Sequence, residues 1–174
     1  MSPAARARCP FGGIRRAAAA IVVLCTFVLT SARVGEGDRT EARAIAAIRA
    51  ILSGESAYAS IHGFYDTLEC LSSPSCIPGV EGQERFLQPY LAVAQERHGY
   101  RFDFHAGPKA ESGSDAPRSP SAMTRFAVVA IPLDHGSQRR AFCGDDRGFI
   151  YFTTAGRMPR VDRGRCLDTG SPIR

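Results

Sequence analysis

The sequence predicts an α+β fold, an N-terminal helix packed on a four-stranded antiparallel sheet. Three observations predict it. Residues 41–60, EARAIAAIRAILSGESAYAS, carry apolar residues at helical spacing. At GYRFDFH (99–105) the period changes to two, with Tyr100, Phe102 and Phe104 alternating against Arg101, Asp103 and His105. Three more short segments rich in β-formers then follow, divided by turn residues. A helix followed by serial strands is the layout of a helix laid on one face of a sheet.

The helix is expected to begin near Asp38, which with Glu41 three residues on resembles a capping box. Ile45, Ile48, Leu52 and Ala59 form one stripe, and Ala44, Ile51, Glu55 and Tyr58 lie beside it. Ile45, Ile48 and Leu52 are the expected packing residues, set against strands holding Phe102, Val128 and Ile150. Gly54 costs a helix about 1 kcal/mol relative to alanine, so packing has to hold this one. The helix should end near His62, with Gly63 as the stop.

Residues 64–81 read as loop and 83–97 as a short helix interrupted by Pro89. The segment 106–122, AGPKAESGSDAPRSPSA, lacks apolar periodicity and reads as a surface loop or disordered insertion. TRFAVVAIP (124–132), RRAFC (139–143) and FIYFTT (149–154) are the remaining strands, with GDDRG (144–148) a turn and 155–174 a polar tail.

Before residue 33 the chain reads as a leader. Residues 1–16 are polar and basic, 17–30 (AAAAIVVLCTFVLT) are uncharged and apolar, and Thr30-Ser31-Ala32 are small. This is a signal peptide, or an N-terminal membrane anchor if it is kept; its apolar run is shorter than the roughly 20 residues that span a bilayer. Residues 33–40 read as a polar hinge, and 33–174 as one globular domain. The net charge of +5 falls to +1 for residues 33–174 once the four leader arginines are removed. The domain therefore lacks the basic footprint of a nucleic-acid binder.

Export makes disulfides the natural state of the four domain cysteines, Cys70, Cys76, Cys143 and Cys166. Three pairings are possible. The local ones, Cys70–Cys76 and Cys143–Cys166, are expected. No CxxC occurs, and no histidine sits at zinc-finger spacing from a cysteine pair.

Catalytic motifs are missing from the sequence. There is no HExxH, GxSxG, P-loop or GxGxxG, and SxxK fails because residue 106, three before Lys109, is alanine. His62, His98, His105 and His135 are expected in structural roles, His62 at a helix end where positive charge is favourable. His105 with Asp103 is the one pairing for a small secreted hydrolase, and it is expected to diverge. Asp145 and Asp146 are weak candidates for calcium, since carboxylates in a loop supply its oxygen ligands; a solvated hairpin turn is the plainer reading. The aromatics Tyr100, Phe102, Phe104, Phe126, Phe149 and Tyr151 are expected to form core rather than a base-stacking platform.

In order along residues 38–157, the helix 41–60, GYRFDF (99–104), TRFAVVAIP and RRAFCGDDRGFIYFTTAGR (139–157) resemble the type IV pilins and type II secretion pseudopilins. The resemblance implies a pilin-like fold with a disulfide enclosing the C-terminal region, where Cys143–Cys166 fits. It also implies a non-enzymatic cell-envelope protein without a cofactor or small-molecule substrate. Its partners would be other pilin-like subunits or an assembly platform, with the membrane met through residues 17–30. In that family an acidic residue stands fifth after the leader glycine; here position five after Gly13 is Ala18, and residues 1–35 contain no acid before Glu36. The alternative is thus an exported, soluble module of the same fold that does not polymerise.

Overall fold

The computed structural model describes residues 18–77, 82, 84–111, 117–134, 138–153, 157–167 and 172–173, and for 18–38 only the course of the backbone. The chain divides into two compact units, 1–36 and 37–174. Helix α1 runs over Ala18–His62. The expected hinge at 33–40 is therefore helical: Gly35 and Gly37 weaken a helix but carry no obligate break.

Within 37–174, α1 ends where the sequence indicates. Gly63 adopts φ +80, and its N–H donates to the Ala59 carbonyl at 2.8 Å. Ile48 is fully buried, Leu52 nearly so and Ile45 partly, and the neighbouring stripe of Ala44, Ile51, Glu55 and Tyr58 is fully buried throughout. Gly54 is fitted rather than tolerated. A Cβ there would stand 2.7 Å from the Phe86 carbonyl oxygen.

The main sheet has five strands, not four: β1 (Glu96–Arg97), β2 (Tyr100–Ala106), β3 (Phe126–Pro132), β4 (Ala141–Asp145) and β5 (Ile150–Thr153). They lie in chain order and every neighbouring pair is antiparallel. The extra strand, β1, joins β2 through His98 (φ 53) and Gly99 (φ 73), two left-handed residues that make a tight hairpin. That pairing takes the end of the expected helix 83–97, which shrinks to α3 (Pro89–Val93). A further short helix, α2 (Leu68–Ser72), stands in the expected loop 64–81, capped by the Thr67 hydroxyl accepting from the Cys70 N–H.

The register places Phe102, Ala130, Phe142 and Phe152 in one row across the sheet. This face, with Val128 and Ile150, meets α1 residues Ala44, Ile48 and Ile51 in one core. Gly144 permits the close approach, because a Cβ there would lie 2.6 Å from Ile48 Cγ2. The opposite face, Ala127, Val129, Ile131, Cys143 and Tyr151, is covered by Cys166 and Val161. Those residues belong to a second sheet, β6 (Val161–Asp162) with β7 (Arg165–Cys166), turned by Arg163 (φ 45) and Gly164 (φ 74). The expected polar tail is therefore partly a hairpin that closes the second face. That is why β3 is buried along almost its whole length.

Segment 106–122 also departs from a free loop. Its two arms meet: Ala110 N–H donates to Ala122 O (2.9 Å), Thr124 N–H to Pro108 O (2.9 Å), and Ser119 and Ala122 are buried. Both cysteine pairs form disulfides, Cys70–Cys76 and Cys143–Cys166.

Candidate functional site

The C-terminal end of α1 carries a buried polar cluster. Helical spacing puts Glu55 and Tyr58 on the inward stripe, and Gly63 turns the chain so that Asp66 returns beside them. Asp66 N–H donates to Glu55 Oε2 (3.3 Å), and Tyr58 Oη donates to Asp66 Oδ2 (3.3 Å). Asp66 Oδ1 accepts from the Thr67 N–H (2.8 Å) and from Ser121 Oγ (2.6 Å). One carboxylate thus ties together the helix end, the start of α2 and the returning arm of segment 106–122.

Glu55 is the anomalous member. Its side chain is fully buried and its Oε1 has no hydrogen-bond partner. Burial pushes its pKa up to about 9; the Asp66 N–H opposes this, and the Asp66 charge adds to it. Glu55 is therefore a neutral acid at pH 7. His62 packs on the Tyr58 ring with centroids 4.5 Å apart, and burial lowers its pKa despite nearby Asp66.

Among the described residues one group of three metal-capable side chains comes together: Asp66, Cys70 and Cys76, within 4.8 Å. Both sulfurs are spent in the disulfide and Asp66 already accepts three hydrogen bonds, so this oxidised set offers no thiolate to a cation.

The second polar centre holds the calcium candidates. Asp145 is fully buried and accepts from Arg147 Nε (3.1 Å) and Nη2 (2.6 Å) and from the Cys166 N–H (3.1 Å). Asp146 faces Arg165 Nη2 at 3.4 Å, and burial raises its pKa. Each carboxylate thus has its own arginine. Asp145 works as a fastener between β4 and the strand that carries Cys166. Residue 145 belongs to β4 rather than to the expected turn.

Among the described residues the histidine candidates do not assemble. His98 occupies the β1–β2 turn and His105 sits on β2; His135 lies outside the described residues. Asp103 and His105, two apart on a strand, share a face, contrary to the expected divergence. Asp103 is instead engaged by Arg101 Nε at 3.3 Å. Of the aromatic set, Tyr100, Phe102 and Phe126 are core. Tyr151 is on the opposite face and Phe149 is 49% exposed.

Sequence reasoning placed Glu55 beside the packing stripe but missed its partners. Asp66 and Ser121 come from loops, and nothing local marks them. Among the described residues no helix is long and apolar enough to cross a membrane. No protein-family model matches the chain, and no curated protein or solved structure matches it.

Proposed function

We propose that the chain is a non-enzymatic, pilin-like protein of the bacterial cell envelope, a minor subunit of a type IV pilus or type II secretion assembly. The observation that carries the reading is the layout. Within the unit 37–174, the 39–62 part of α1 packs on an antiparallel meander. The Cys143–Cys166 bridge closes the C-terminal region, as the resemblance implies. In this role the chain works by packing: residues 17–30 would bundle with neighbouring subunits and the domain would face outward. The buried clusters around Asp66 and Asp145 hold the domain together.

The test is deletion of the gene in its own piliated or secreting strain, followed by counts of surface filaments and measurement of secreted protein. The proposal expects a loss in one of the two, restored by the intact gene. An unchanged strain refutes an assembly role.

A second reading is favoured by one observation, the lack of any acid in residues 1–35. On that reading the domain is released as a soluble, exported binding module that does not polymerise.

A further inference from the structure

Asp66, Cys70 and Cys76 each bring a ligand atom within 4.8 Å of the other two. The Cys70–Cys76 bond occupies both sulfurs while it lasts. Reduction frees two thiols beside a carboxylate, a donor set suited to a thiophilic divalent cation.

Local structure places all three. Cys70 lies on α2, and Thr67, which caps that helix, directly follows Asp66. The exposed turn at Pro74 and Ser75 carries the chain back so that Cys76 meets Cys70. Asp66 is already oriented: its Oδ1 accepts from the Thr67 N–H (2.8 Å) and from Ser121 Oγ (2.6 Å). Bonds of this kind fix a ligand carboxylate before a metal arrives. Tyr58 Oη stands 3.3 Å from Asp66 Oδ2 and 3.7 Å from Cys70 Sγ, so it borders the same space. A tetrahedral zinc with Zn–S bonds of about 2.3 Å holds its sulfurs about 3.8 Å apart. The exposed turn can take up that opening.

The burial of the two sulfurs sets the order of reduction. Cys76 is half-buried and Cys70 buried, so an incoming thiolate reaches Cys76 Sγ first. Cys70 Sγ leaves as a thiolate beside Tyr58 Oη and takes a proton. The second thiol of a dithiol reductant then displaces Cys76, and the reductant ends as a disulfide. Empty, the pair stays protonated, because two thiolates next to the Asp66 carboxylate would repel each other and it. Binding of Zn²⁺ exchanges the two thiol protons for the cation.

We propose that reduction of Cys70–Cys76 by a dithiol turns this group into a Zn²⁺ site. Its ligands are Cys70 Sγ, Cys76 Sγ and a carboxylate oxygen of Asp66, with water in the fourth place. The site does not rest on the assembly role and is tested apart from it.

The test is titration of the full-length chain with Co²⁺ and then Zn²⁺, oxidised and after reduction by a phosphine, which brings no thiol of its own. Reduction should add one equivalent of Co²⁺ with a thiolate-to-cobalt charge-transfer band, and Zn²⁺ should displace it. Cys70→Ser and Cys76→Ser made together keep every other cysteine and should lose that equivalent. Ser121→Ala removes one of the bonds that orient Asp66 and should weaken Co²⁺ by about tenfold. Asp66→Asn removes the ligand itself and should weaken it further. Asp66 also ties the fold together, so Ser121→Ala is the independent variant. A reduced chain that gains no thiolate band overturns the proposal. So does a gain that survives the paired serines, or one unchanged by Ser121→Ala and Asp66→Asn alike, which would mark loose thiols rather than a built site.

Discussion

Replacing Glu55 by glutamine should flatten the pH dependence of stability above pH 7. Glu55 has a folded pKa of about 9 against an ordinary 4.5, because burial penalises its charged form. The folded chain therefore holds a proton that the unfolded chain releases. Glu55's contribution to stability is full below its unfolded pKa and is lost as pH rises through the folded one. Between pH 7 and 9 that loss is about 2 kcal/mol, from about 1.4 kcal/mol for each pKa unit. The lowered pKa of His62 acts below its ordinary 6.5, and the raised values of Tyr65 and Tyr100 act above their ordinary 10.0, Tyr100 being pushed up to about 12. The assay is urea unfolding at several pH values, followed by far-ultraviolet circular dichroism since the chain has no tryptophan. The wild-type midpoint should fall from pH 7 to 9 while that of Glu55→Gln stays level. The slope is the readout, because the new amide brings donors of its own. Parallel profiles for the two proteins would refute the reasoning.

Three further perturbations follow from the packing. Gly54→Ala improves helix propensity by about 1 kcal/mol, yet the new Cβ would stand 2.7 Å from the Phe86 carbonyl oxygen. A net loss of 1–3 kcal/mol is expected on thermal unfolding, about the usual size of an overpacking penalty. Glu41→Ala removes the acceptor that binds Arg140 N–H (2.9 Å), Nε (2.9 Å) and Nη2 (2.7 Å). It should cost about 2 kcal/mol in urea unfolding, and Arg140→Ala made on top of it should cost less than it does alone. Opening the Cys143–Cys166 bridge with paired serines should cost about 3 kcal/mol and opening Cys70–Cys76 about 2, because the first closes a separation of 23 residues and the second only 6. Equal costs would mean that loop length does not set the order.

What could be read from sequence was local. The end of α1 at His62 and Gly63, the packing of Ile48 and Leu52, and strands β2 to β5 all rest on periodicity or on one turn residue. The misses have tertiary causes. β1 is two residues long and has no pattern of its own; the left-handed pair His98 and Gly99 makes it. The arms of segment 106–122 lack apolar rhythm, yet they meet through backbone hydrogen bonds, and Ser121 also reaches Asp66. The hairpin at Arg163 and Gly164 was hidden in a polar tail. Asp145 read as a turn residue because no spacing could show Arg147 and the Cys166 N–H closing on it. Glu55 was visible at its position, but its protonation depends on the loss of water around it.

The most direct test of the envelope proposal is the mass and N-terminal sequence of the chain recovered from a cell with both export and pilus-processing machinery. An uncut chain, or one starting at Ile14, found in the membrane fraction is the result the anchored-subunit account predicts. A soluble product beginning at Arg33 would contradict it and leave the domain as a released module.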